Sequence, residues 1–258
     1  MENIKLIGDY SFKVQPSEVD FRQKMTLPNF MKYIIATADD HAATLGLALG
    51  NVATKNKSWV ISRLAIELKR YPITDEKVRV HTWVKKVMRA FSLREFAFMS
   101  EDGSEVWGYA SSIWAMIDKD DRHTVNLTNI VSPDIICDEP CPIERVGKIP
   151  NIDVEPTESF VIKYSDVDLN HHLNSCKYIE HIVDVFSLYK FCKRDIKRFE
   201  IEYIAESLFG TKIDILKKGE GEEGNKYIIE LKNEKGDTIC KSKVIFGDQT
   251  LHEEYIIK

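Results

Sequence analysis

The sequence predicts an α+β fold built from two copies of one unit, each a long curved antiparallel sheet wrapped around one central helix. Three observations carry this prediction. Ser17-Glu18-Val19-Asp20-Phe21 is echoed by Ser165-Asp166-Val167-Asp168-Leu169, an offset of 148 residues from Asp20 to Asp168. Each copy is preceded by a short extended stretch. Each is followed by one helical pattern and a run of strands. Repetition of a supersecondary unit implies a tandem, pseudo-symmetric molecule, in which an internal pair takes the place of a homodimer.

In chain order, residues 8–16 read as extended. Met31, Ile34, Ile35, Ala38, Ala42 and Leu45 then recur at helical spacing. Thr26 or Leu27 lies at the cap, and Pro28 falls in the first turn, where its missing N–H is tolerated. The helix is rich in small residues and apolar on more than one side, as expected of a helix enclosed by a sheet. Close packing explains that composition, and a channel beside the helix is the second reading. Strands are expected near 58–70, 78–87, 91–100 and 105–117, with a turn at Glu101-Asp102-Gly103-Ser104. Between Asp118 and Glu158 lie five of the eight prolines and little periodicity, which reads as a long linker. The expected division is a first unit over 1–135, a Pro-rich linker over 136–157 and a second unit over 158–258. In the second unit Tyr178, Ile182, Val185, Phe186 and Tyr189 predict one helix, with Asn174 as its N-cap. Strands follow near 196–205, 211–217, 226–233 and 238–246.

Composition narrows the functional class. With 258 residues and 43% hydrophobic content, the chain can bury one large core or two small ones. A net charge of −5 with mixed signs is not the basic footprint of a nucleic-acid binder. No apolar run approaches the ~18 residues that cross a bilayer. Met1-Glu2-Asn3-Ile4-Lys5 lacks a signal-peptide pattern, and Glu2 and Asp9 do not suit a transit peptide. Five cysteines without a paired framework point to a reducing cytoplasm. Cys137 and Cys141 have no second ligand pair, so neither a metal nor a cofactor is expected.

The chemistry concentrates in residues 165–178. Asp168, Asn170 and His172 occupy alternate positions, which share a face if the segment is extended. A helix starting after Asn174 would aim free N–H groups and its positive dipole end back at them. That arrangement suits a carbonyl oxygen that becomes an oxyanion. Taken residue by residue, a polar loop with one N-cap fits better, because polar residues before helices are common. His171, His172, Asp168 and His181 could be assembled on paper into a metal site, but adjacent histidines rarely point together. At the matching offset in the first unit, Asn170 meets Arg22 and His172 meets Lys24. The first unit keeps the acid and loses its partners, so it is expected to serve as scaffold and pocket wall.

The run from Asp168 to Ile179 resembles the active-site signature of acyl-ACP thioesterases, Asp-x-Asn-x-His-x-Asn-x-x-x-Tyr, at the start of a hotdog helix. Glu202-Tyr203-Ile204-Ala205-Glu206-Ser207 resembles that family's Glu-Tyr-x-x-Glu-Cys segment, with Ser207 at the cysteine position. Trp59-Val60-Ile61-Ser62-Arg63 and His81-Thr82-Trp83-Val84 resemble its first half. The resemblance implies a tandem double hotdog that hydrolyses the thioester of fatty acyl–acyl carrier protein and so ends fatty acid elongation. It implies Glu206 as a general base raised by burial, Asn170 orienting the thioester, His172 orienting water or polarising the carbonyl, and Asp168 positioning them. Asn174 and Ser207 would border the substrate. Direct attack by Asp168 to form an anhydride is the alternative chemistry. Acyl-CoA as substrate, or a non-catalytic acyl-binding protein, are the alternative functions. A hydroxyacyl dehydratase would need a His and acid pair on the helix, which this sequence lacks.

Two further expectations concern surfaces and geometry. Acyl carrier protein is acidic, so a basic docking surface is expected near the tunnel mouth; Lys193, Arg194, Lys197 and Arg198, with Lys190, form the best cluster. Two such tandem chains could also associate. Strict strand alternation puts Glu206 with Glu200 and Glu202, on the face opposite Phe199, Ile201, Tyr203 and Ala205. A bulge or bend before Leu208-Phe209-Gly210 is needed to turn Glu206 toward the site.

Overall fold

The computed structural model describes residues 5–48, 55–221 and 224–250. Residues 1–4, part of the stretch examined for a leader, and 251–258, at the end of the expected second unit, lie outside the described residues. The first unit contains β1 (Ile7–Lys13), α1 (Leu27–Thr44), β2 (Lys57–Leu68), β3 (Lys77–Val87), β4 (Ser92–Ser100) and β5 (Val106–Asp118). The second contains β6 (Glu158–Val161), α2 (Ser175–Asp184), α3 (Leu188–Lys193), β7 (Arg194–Tyr203), β8 (Lys212–Glu220), β9 (Lys226–Asn233) and β10 (Thr238–Asp248).

All ten strands form one sheet, in the order β1-β3-β4-β5-β2-β7-β10-β9-β8-β6. The order reads the same from either edge once β6 is matched to β1 and β7 to β2. The predicted repeat is therefore present in the topology as well as in the sequence. The halves join where β2 pairs antiparallel with β7, from Arg63↔Glu202 to Glu67↔Arg198. Ion pairs Arg63–Glu202 and Arg198–Glu67 flank this seam. On the concave side α1 and α2 lie against each other. Phe30, Ile34 and Phe98 of the first unit share one continuous core with Ile179, Ile182 and Phe199 of the second. Enclosure explains the composition of α1, whose buried residues include Phe30, Met31, Ile34, Ala38, His41 and Ala42. Among the described residues no helix is long and apolar enough to cross a membrane.

Two expectations need correction. The single helix expected over Tyr178–Tyr189 is two. α2 ends at Asp184, and the Ser187 side chain accepts from the Lys190 N–H to start α3, leaving Tyr189 exposed. The stretch between Asp118 and Glu158 is not a loose linker but a packed strap. Leu127, Val131 and Ile135 bury against Ala42, Leu47, Val84 and Met116. Val146, Ile149 and Ile152 cover Ala65, Leu216 and Ile228 on the outer face of the seam. Irregular conformation gives these apolar side chains no period to read, but they are buried all the same.

At one end of the seam a buried ion network ties the units together. Lys24 Nζ lies 3.0 and 2.9 Å from the two oxygens of Asp195, and Arg22 Nη1 lies 2.8 Å from Asp195 Oδ1. Arg22 also grips Asp20, and the Thr250 N–H donates to Asp195 Oδ2. Asp195 is fully buried and Lys24 nearly so. Removing one member of such a cluster leaves the others buried without a counter-charge. Asp195→Ala is therefore expected to cost about 3–5 kcal/mol of stability, read as a fall in the urea midpoint. Pairing it with Lys24→Met should recover part of the loss, and an unchanged midpoint in the single variant would dismiss the network as a stabilising link.

Candidate active site

The acid, carboxamide and imidazole sit in a tight turn rather than on an extended segment. Val167 bridges Leu173, the Asp168 N–H donates to the His172 carbonyl, and His171 takes a left-handed φ of 65°. Asp168 Oδ1 accepts the N–H groups of Asn170 at 2.8 Å and His172 at 3.2 Å. The acid thus organises the backbone that presents the other two side chains. Asn174 caps α2 as its sequence context predicts, its carboxamide oxygen accepting from the Cys176 N–H.

The first unit builds the same turn at the same offset. Asp20 Oδ1 accepts the N–H groups of Arg22 at 2.8 Å and Lys24 at 3.2 Å, and Gln23 takes a φ of 60°. This is why the first unit keeps its acid: the turn requires it. The side chains presented there, Arg22 and Lys24, are committed to Asp195.

Glu206 arrives by the bend that alternation required. The β7 ladder ends at Tyr203, and the N–H groups of Ile204 and Ala205 both point to the Ile239 carbonyl, at 2.9 and 3.1 Å. The Leu173 N–H then bonds the Ser207 carbonyl, and His172 bridges Leu208, which sews the Glu206 segment to the turn. Glu206 Oε2 lies 3.3 Å from His172 Nε2. Burial lowers the His172 pKa, and the neighbouring Arg122 charge lowers it further against the pull of Asp168.

Arg122 was not foreseen. It follows β5 in a left-handed turn (φ 61°), and its guanidinium pairs with Glu206 Oε1 across the two units. No local pattern marks it, because the partner lies 84 residues away. Glu206 itself is 46% exposed, so the expected burial is not found; Arg122 and His172 stand beside it instead.

Asp168, Asn170, His172, Asn174 and Glu206 line one cavity of about 860 Å³ that continues between α1 and strands β2 to β5 of the first unit. Apolar wall comes from Ile35, Ala38, Trp59, Ile61, Trp114 and Val131. The small residues of α1 therefore border a channel as well as packing closely. Ser207, expected to touch substrate, is buried and lies outside this lining. The basic docking cluster is also misplaced. Arg194 begins β7 and Glu206 lies beyond its far end, roughly 30 Å away at strand rise. Arg198 is tied to Glu67 and Glu200, Lys197 to Thr250, and Arg194 to Asp248. Around the Asp168 turn the exposed side chains are apolar instead, with Leu169, Leu208 and Phe209 turned to solvent. Among the described residues no group of three or more His, Cys, Asp or Glu side chains is placed to hold a metal ion.

Residues 6–135 match the family described as acyl-ACP thioesterase N-terminal domain, and residues 150–248 match the acyl-ACP thioesterase C-terminal domain. The chain belongs to the acyl-ACP thioesterase family. Its fold is similar to that of an acyl-ACP thioesterase from Bacteroides thetaiotaomicron, at 40% identity and a TM-score of 0.88, covering 94% of this chain and 98% of that one. The 12:0-ACP thioesterase from Umbellularia californica shares the tandem hotdog fold, with a TM-score of 0.82 at 16% identity over 95% of this chain and 98% of that one. A chloroplastic palmitoyl-acyl carrier protein thioesterase of Gossypium hirsutum is 25% identical over 215 residues, 78% of this chain and 52% of that protein. The chain spans about half to three fifths of the length of the first curated relatives it matches.

The site has a pH signature that can be tested. A cation beside an imidazole opposes its protonation, so Arg122→Gln should move the His172 midpoint upward. NMR titration of the His172 ring reads the shift directly, and a midpoint that stays put or falls would separate Arg122 from the site electrostatically.

Proposed function

We propose that this chain hydrolyses the thioester of fatty acyl–acyl carrier protein, releasing a free fatty acid and ending elongation. The observation that carries the reading is the Arg122–Glu206–His172 array, set beside the α2 N-terminus at one end of a long apolar cavity. In this reading residues 1–135 supply the pocket wall, 136–157 the strap, and 158–258 the catalytic unit. The acyl chain lies in the cavity between α1 and the first unit's sheet. The thioester carbonyl rests against the catalytic turn, where the Asn170 carboxamide orients it.

Glu206 Oε2 is the base. Arg122 occupies Oε1, while Oε2 has, among the described residues, the His172 contact alone and keeps a lone pair for water. The carboxylate takes one proton from water as the hydroxide oxygen bonds the carbonyl carbon. The resulting oxyanion is stabilised by Asn170 and the positive end of α2. Collapse breaks the C–S bond, and the departing thiolate recovers the proton from Glu206. Asp168 acts by holding the turn; with Oδ1 committed to two backbone N–H groups, it suits positioning better than nucleophilic attack. Exposed Leu169, Leu208 and Phe209 beside the site, with Arg122 and Lys119 at the cavity, make this face the more suitable docking surface for the carrier protein. The five free thiols suit a reducing compartment such as the cytoplasm.

Glu206→Ala should lose roughly 10²–10⁴-fold in kcat, the usual contribution of a positioned base. Ser207→Ala should retain most activity, since that hydroxyl lies outside the cavity. Thiol release from acyl–acyl carrier protein measures both, and the reverse ranking would make this a serine-dependent acyl transfer. The two turn acids give a second comparison. Asp168→Ala should cut kcat severely, whereas Asp20→Ala should lower the melting temperature while the folded fraction keeps kcat within a few-fold. Equal kcat losses from both would mean that the first unit also performs chemistry.

A further inference from the structure

The wall of the acyl cavity is not uniformly apolar. Arg94, on β4, lines it and is only 6% exposed. Its Nη1 donates to His41 Nδ1 at 2.9 Å and to Thr82 Oγ1 at 3.2 Å. His41 Nε2 faces the Lys5 carbonyl at 2.9 Å, which fixes Nε2 as a donor and Nδ1 as the acceptor for Arg94. His41 is therefore neutral; burial and the Arg94 charge push its pKa down to about 4. Burial lowers the Arg94 pKa only to about 10, so the guanidinium stays charged at neutral pH. A guanidinium has five N–H donors. The remaining donors of Arg94 make no hydrogen bond among the described residues, no carboxylate there lies within ion-pairing distance, and its nearest electrostatic neighbour is the Tyr10 phenol. Elsewhere in this chain buried cations are paired: Lys24 and Arg22 share Asp195, and Arg198 has Glu67 and Glu200.

The position of this charge matters. In the order β4-β5-β2-β7, Arg94 stands three strand spacings from the strand that leads to Glu206, roughly 14 Å at ~4.8 Å per spacing. A chain entering at the catalytic turn and running under the first unit's sheet reaches Arg94 with its distal part. A methylene tail there would cover a charged donor without offering it an acceptor, which is unfavourable. An oxygen would meet both the charge and the free N–H groups.

We propose that Arg94 is a specificity-determining residue that recognises a hydrogen-bond-accepting oxygen on the distal part of the acyl chain, above all a carboxylate. This assignment rests on the thioesterase reading and adds a substrate class to it: ω-oxygenated acyl chains alongside or ahead of plain saturated ones. Discrimination of this kind is strong where a buried polar group would otherwise be left unpaired.

The test uses acyl–acyl carrier protein thioesters of matched length ending in methyl, hydroxyl or carboxylate, at several lengths, with the intact chain. At the length that reaches Arg94, the carboxylate-ended substrate should exceed the methyl-ended one by about tenfold or more in kcat/KM, with the hydroxyl-ended one between. Arg94→Met should invert that order, and Arg94→Lys should keep its direction with a smaller ratio. Methyl-ended chains hydrolysed as well or better at every length would overturn the assignment while leaving the thioesterase reading intact. A uniform loss across all three substrates in a folded Arg94→Met variant would also overturn it, by reducing Arg94 to a packing role. Hydrolysis of none of them by the unaltered chain would remove the thioesterase reading and this inference together. The selectivity of the unaltered chain decides the matter even if Arg94→Met fails to fold.

Discussion

The pairing of β2 with β7 is the constraint on which the rest of this molecule depends. Each unit alone would end its sheet at an unpaired edge strand and bury only one side of its helix. Joining the edges makes one sheet of ten strands and sets α1 against α2 in a shared core. It also carries the Asp168 turn of the second unit to the open end of the first unit's cavity. Arg122 then reaches Glu206 across the boundary between the units. Without the seam there would be a turn and a cavity, but no site.

The two turns show how one backbone device can serve two ends. Asp20 and Asp168 make the same pair of N–H contacts at the same distances, and Gln23 and His171 take the same left-handed conformation. Divergence is confined to what the turn presents. In one unit Asn170 and His172 face a cavity. In the other, Arg22 and Lys24 close onto Asp195, so the equivalent space is occupied by charge rather than left open. The phenol of Tyr71, next to the strand residues that hold the first turn, closes the same region by bonding the Ile196 carbonyl at 2.6 Å.

Legibility in the sequence followed the range of each interaction. The repeat, the strand run and the Asn174 cap depend on neighbours within a few residues, and each was readable. The turn at Asp168 was not legible, because alternate spacing fits an extended segment equally and a single left-handed His171 is what folds it back. The bend that frees Glu206 was inferred only from a conflict, since alternation put the residue on the wrong face. Arg122 was invisible: its role exists only once the two units meet. The docking cluster lies away from the site for a related reason. Sequence proximity to the helix hid the length of β7, which sets Arg194 a full strand length from Glu206. The strap between the units was underestimated because Val146, Ile149 and Ile152 bury from irregular backbone, where no period announces them.

The seam also bears on how the chain is made. On emerging from the ribosome, the first unit completes β5 at Asp118 long before β7 begins at Arg194. For that interval β2 is a twelve-residue edge with its ladder groups open, the kind of surface that recruits stray strands. The strap is synthesised in the same interval, and its Val146, Ile149 and Ile152 settle on the outer face beside Ala65 of that edge. Yet of the residues the strap covers only Ala65 precedes β7, while Leu216 and Ile228 follow it, so the strap's seat is complete only after the seam has closed, and the open edge of β2 puts a premium on prompt pairing with β7.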